Sequence, residues 1–152
     1  MVLEVWIKPD ASHKYALFRT YPICAYSGHL GNKTKQGDSQ SVEGFYVVTP
    51  RRLNSFSEYR LSFNEGYPNP LERALGYTGG DVMIHGGCGS VGCLALNDDI
   101  DELYTLMDEA MQRGVATVPL HAFPFRMTTE NMQRAVQFFP QHLQFWLNIA
   151  PA

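Results

Sequence analysis

The chain has 152 residues, 45% of them hydrophobic and 18% charged, which is the length of one domain with enough apolar material for a core. Its net charge of −3 gives no electrostatic footing for nucleic acid or an anionic membrane surface. No apolar run approaches the roughly 18 residues of a membrane span, and a monomer without metal or cofactor is the expectation.

Residues 2–7 and about 15–26 are rich in Val, Leu, Tyr and Phe and read as two strands joined by a polar turn. The opening residues lack the basic leader and apolar core of an export signal, so a single domain over 1–152, trimmed of such a signal, is expected. Residues 27–41 form a polar, glycine-bearing loop with Lys33 and Lys35. A strand over 42–49 stops at Pro50. Tyr59, Leu61 and Phe63 alternate with polar residues and predict a half-buried strand, followed by a turn at 66–70 and a short helix over 71–75. The spacing of Ile100, Leu103, Tyr104, Met107, Ala110 and Met111 predicts a helix over 98–113, with acidic residues in its first turn and Gly114 to end it. A strand over 115–123, a helix capped by Thr128 and a last helical segment opened by Pro140 complete an α+β pattern.

The stretch 81–97, DVMIHGGCGSVGCLALN, carries the chemistry. A short apolar run delivers His85, a loop of small residues follows, and it ends at Cys93. Imidazole and thiol suffice for acyl transfer, because the ring takes the thiol proton and later returns it to a leaving group. The glycines at 86, 87, 89 and 92 remove bulk where a substrate carbonyl would approach the backbone. The amides of Gly92 and Cys93 are candidates to hold an oxyanion, and the helix start beyond Asn97 is expected to favour a thiolate. Ser90 either braces the loop or contacts substrate. The competing G-x-G-x-x-G match, residues 87–92, is separated from the next helix by four residues, so no helix amide meets a pyrophosphate there. Cys88 and Cys93 lack the second ligand pair of a zinc centre. Cys24, in an apolar run, reads as a buried small hydrophobe. A Cys88–Cys93 disulfide is the alternative that would silence the thiol.

The string IHGGCGSVGCLALND resembles the active-site motif of the L,D-transpeptidase (YkuD-type) family, a histidine followed by Ser/Thr-x-Gly-Cys. Its short His-to-Cys spacing is similar to the YafK-like branch. PICAYSGHLGNKTKQGDSQSVEGFYVV, LSFNEGYPN and FPFRMTTENM resemble further family segments, so the likeness covers about residues 20–135. The resemblance implies a mostly antiparallel β-sandwich or barrel with His85 and Cys93 at one rim, a packed helix beside it, and C-terminal helices. It implies that the Gly86 carbonyl fixes the His85 tautomer. It also implies a periplasmic or cell-envelope enzyme acting on diaminopimelate-linked amides of peptidoglycan stem peptides, or on a murein-linked lipoprotein. Val91 stands where many members carry a second histidine, which favours hydrolysis over transpeptidation. Arg126 is a candidate clamp for a substrate carboxylate or else a structural salt bridge. Tyr67 matches a family segment that turn formation explains equally well. A non-catalytic murein-binding module and a peptidase of ordinary polypeptides are the rival readings.

Overall fold

A computed structural model of the protein describes residues 1–150. Strands β1 (Val2–Ile7) and β2 (Ala16–Pro22) pair antiparallel as a hairpin. Strand β3 (Gly44–Val48) pairs antiparallel with the much later β8 (Val118–Ala122). Between them in sequence lie β4 (Leu53–Asn54), β5 (Ser62–Asn64), β6 (Met83–His85) and β7 (Leu94–Ala95), which form a four-stranded sheet in that order. Its β4–β5 and β5–β6 pairs are antiparallel and its β6–β7 pair is parallel. Four α-helices lie among the described residues: α1 (Pro70–Ala74), α2 (Ile100–Gln112), α3 (Thr129–Phe138) and α4 (Leu143–Ile149).

The mixed α/β character holds, but the strands form no closed barrel among the described residues. Among the described residues the strands form three separate open sheets, and none closes on itself. Strands of two or three residues in the central sheet are too short to wrap.

The core shows why α2 sits where it does. Its apolar stripe, Ile100, Leu103, Met107 and Met111, is buried against Phe63 of β5, Ile84 of β6, Tyr21 and Val48. Full burial of each such side chain is worth about 1.5–3 kcal/mol. A second, smaller cluster of Val42, Tyr46, Tyr67 and Val82 lies behind the loop of residues 27–41. Trp146 of α4 is fully buried and donates its indole N–H to Glu43 at 3.0 Å, which ties the C-terminal helix to the residue just before β3.

Two expected elements differ in extent. The alternating strand predicted from Tyr59 begins only at Ser62, because Arg60 lies at φ +75° and leaves the pleat. Its guanidinium instead reaches Asp98, at 2.7 Å, and Asp101 at the start of α2. The helix expected from residue 98 opens as a 3₁₀ turn, Asn97–Asp99, before becoming regular at Ile100. Thr128 caps α3 as expected, its side chain accepting from the Asn131 amide at 3.3 Å.

Candidate active site

His85 ends β6 and is 2% exposed. Its Nδ1 lies 2.5 Å from the Gly86 carbonyl oxygen. A carbonyl only accepts, so Nδ1 carries the proton and Nε2 keeps its lone pair, which is the tautomer a general base needs. The ring packs on Tyr59 with centroids 4.7 Å apart. Gly86 admits no side chain: an added Cβ would stand 2.5 Å from the Tyr59 carbonyl oxygen and 2.9 Å from Ile100. The short motif therefore serves backbone approach as much as chemistry.

The loop from residue 86 to residue 92 returns the chain to β7. Gly92 takes φ +116°, a conformation strained for any other residue. Ser90 braces the loop from within. Its hydroxyl donates to the Cys93 carbonyl at 2.6 Å and accepts from the Gly92 amide at 3.2 Å. That amide, a candidate oxyanion donor, is thus engaged before any substrate arrives.

The Cys93 sulfur accepts from the Met83 amide at 3.4 Å and lies 3.8 Å from the Asp81 carbonyl. The parallel register explains this placement. Leu94 is opposite Ile84, so Cys93 falls beside Met83, two residues before His85. At a rise of about 3.3 Å per residue that is a separation of about 7 Å along the strand. His85 ends β6, Cys93 directly precedes β7, and the sulfur is bound by the Met83 amide rather than by the ring. Apo geometry of this kind is common at catalytic pairs.

The expected favouring of a thiolate is reversed. Burial pushes the Cys93 thiol above its ordinary range, with the Met83 amide opposing, Glu65 and Asp81 adding to the rise, and Lys33 countering it.

Cys93 opens on a cavity of about 270 Å³, lined by Lys33, Gln36, Ser39, Asp81 and Gly92 among others. A hollow of similar size, about 280 Å³, lies against Phe139 and His29, and Cys93 is not among its lining residues. Lys33 is 5% exposed. It is paired with Asp38, donates to the Lys35 carbonyl at 3.0 Å and sits 5.7 Å over the Tyr67 ring. Burial works against the Asp38 carboxylate, but Lys33 and three backbone amides outweigh it and hold its pKa at about 2. Tyr67 is buried, and its hydroxyl donates to the Thr78 carbonyl at 3.2 Å, with burial raising its pKa to about 12. It braces the back of the cavity and is not among its lining residues. Arg126 does not line the cavity either; its guanidinium is bound by Glu4 of β1.

Sequence reasoning missed two features of the site. Cys24 is exposed, not a buried hydrophobe, and its sulfur is bonded to that of Cys88 across 64 residues. The Cys88–Cys93 alternative falls with it, and Cys93 is free. Glu65 is fully buried with neither carboxyl oxygen hydrogen-bonded among the described residues, and burial lifts its pKa to about 8. The odd cysteine count hinted at the first, since only one of three thiols can remain when two pair. Nothing in the local pattern around Glu65 pointed to the second.

Comparison with known proteins shows the family. Residues 9–119 match the profile of the YkuD family, the L,D-transpeptidase catalytic domain. The chain is 41% identical over 150 residues to a protein named "Putative L,D-transpeptidase YafK" from Escherichia coli, in strain K12 and in O157:H7. The match takes in 98% of the chain and spans only 59% of the length of that relative. Among solved structures it is similar to the helical cell shape determining protein Pgp2 from Campylobacter jejuni. There the TM-score is 0.59 at 27% identity, covering 80% of this chain and 43% of that one. A variant of Pgp2 gives a TM-score of 0.62 at 23% identity, over 95% and 52% of the two chains, and shows the shared fold. The chain belongs to the YkuD-type L,D-transpeptidase catalytic domain family.

Proposed function

We propose that the chain is a cysteine acyl-enzyme hydrolase of diaminopimelate-linked amide bonds in peptidoglycan, working in the periplasm or cell envelope on murein cross-links or a murein-anchored lipoprotein. The observation that carries this reading is the His85 ring, fixed by the Gly86 carbonyl with its Nε2 lone pair free, on the strand next to a thiol that opens on a cavity.

The steps follow from the groups. His85 Nε2 takes the proton of Cys93 as the sulfur attacks the amide carbonyl, and a C–S bond forms. The oxyanion is met by the Gly92 and Cys93 amides, with Gly92 exchanging its bond to Ser90 for one to the intermediate. Each such donor is worth about 3 kcal/mol in the transition state. The C–N bond then breaks, and His85 returns the proton to the departing amine. Water, activated by the same ring, cleaves the thioester. Because the resting thiol is held protonated by burial, the proton transfer belongs to the attack itself.

Hydrolysis is preferred to transpeptidation because Val91, 78% exposed, replaces a second histidine at the loop. Incubation with muropeptides and an excess of a D-amino acid, read by mass spectrometry, tests both halves. Free acid should exceed the exchange product, and Cys93→Ala should lower turnover by a factor on the order of 10³ or more. Predominant exchange would make the chain a transpeptidase. Full activity of the Cys93 variant would remove the mechanism.

A further inference from the structure

Cys24 is bonded to both ends of the segment that carries the thiol. Its side chain is joined to Cys88, and its amide donates to the Ala95 carbonyl at 2.9 Å. The return bond, from the Ala95 amide to the Ala25 carbonyl, is also 2.9 Å. Residues 88–95 therefore form a closed ring on one residue of the chain leaving β2, and Cys93 is a member of that ring. At its foot the Asn97 amide donates to the Gly87 carbonyl at 2.9 Å.

The ring needs such closure. Gly87, Gly89 and Gly92 give this stretch more backbone freedom to lose than other residues would, while Cys88, Gly89 and Val91 are exposed and bring no burial to hold it. Hydrogen bonds within the loop come from Ser90 alone, at its far end. Without the sulfur bond the Cys88 corner has no fixed partner. The thiol must already travel from the Met83 amide to the His85 ring, and a misplacement of about 1 Å can cost on the order of 100-fold in rate.

We propose that Cys24 and Cys88 are positioning residues of the catalytic loop, so that the chain turns over at full rate only while their disulfide is intact. This rests on the acyl-transfer reading of Cys93 and His85, and it adds a redox condition to that reading. A dithiol reductant breaks the S–S bond with two electrons and two protons, giving two thiols and its own cyclic disulfide, and leaves Cys93 chemically unchanged.

The test compares oxidised protein, dithiothreitol-reduced protein and the Cys24→Ser/Cys88→Ser double variant, all well below their melting temperatures. Three quantities are read: kcat and KM on muropeptides, the residue-mapped rate of Cys93 alkylation, and amide exchange over residues 86–92. Reduction should lower kcat about tenfold or more, speed exchange in that loop alone, and change Cys93 alkylation as its burial relaxes. The double variant should behave as the reduced protein does, and reoxidation of the wild type should restore it. Equal kcat and equal loop exchange in all three forms would overturn the proposal, as would a peptide map of the oxidised protein joining Cys88 to Cys93. A drop in melting temperature with kcat unchanged would reduce the bond to a structural staple. If oxidised wild type shows no turnover, the acyl-transfer reading fails, and loop exchange with alkylation still decides the clamp.

Discussion

At the scale of single residues, the site is as much about withheld charge as about supplied charge. Glu65 is sealed next to the strands that hold the thiol, and its amide pairs with the Val82 carbonyl at 2.9 Å, one residue from the Met83 amide that binds the sulfur. With a pKa lifted by burial from 4.5 to about 8, it is mostly protonated at neutral pH, and an ionised carboxylate there would oppose a thiolate at Cys93. The linkage has a definite sign. A raised folded pKa means that the folded state holds a proton which the unfolded chain gives up near pH 4.5. Its contribution is complete below pH 4.5 and is lost as pH climbs towards 8. Glu65→Gln should therefore flatten the fall of the unfolding free energy between pH 5 and 8, by an amount on the order of a few kcal/mol at the upper end. Thermal melts of both proteins across that range decide it, and parallel curves would show that the carboxyl ionises inside the fold at an ordinary pH. His85 and Cys93 were legible from residue type and spacing. The state of the thiol was not, because it depends on Glu65 and Lys33, which sequence places 28 and 60 positions away from Cys93.

At the scale of elements, the long loop of residues 27–41 encloses a buried ion pair. Lys33 and Asp38 have side chains 6% and 14% exposed, and the Asp38 carboxylate also accepts from the Thr34 amide at 3.0 Å and the Lys35 amide at 3.1 Å. Removing one partner strands the other in a site that water barely reaches. Lys33→Met should cost about 3 kcal/mol in a denaturant titration, and adding Asp38→Asn should recover part of it. A double-mutant coupling below about 0.5 kcal/mol would mean that the loop is held by its amides alone. Sequence patterning served the elements unevenly. The α2 stripe announced its buried face because a 3.6-residue repeat survives over 13 residues. The central strands did not, since two or three residues cannot display a period, and Arg60 leaves the pleat inside the one stretch that seemed to alternate.

At the scale of the whole molecule, the sheets are joined by long-range partners that no local pattern carries. β3 finds β8 across some 70 residues, Arg126 binds Glu4, and Trp146 reaches Glu43. The family motifs gave no sign that three open sheets would stand in place of a barrel. The cavity at Cys93 has walls only once the polar loop, through Lys33, Gln36 and Ser39, meets the stretch from Gly80 to Cys93. The bond between Cys24 and Cys88 has one more consequence, for how the protein behaves when it is cut. Lys35 is exposed in the polar loop and lies between the two bonded cysteines. A single tryptic nick there should yield two pieces that migrate as one band on a denaturing gel and part only when thiol is added to the sample buffer. Fragments that separate without reductant would mean that the bond is absent from the protein in solution.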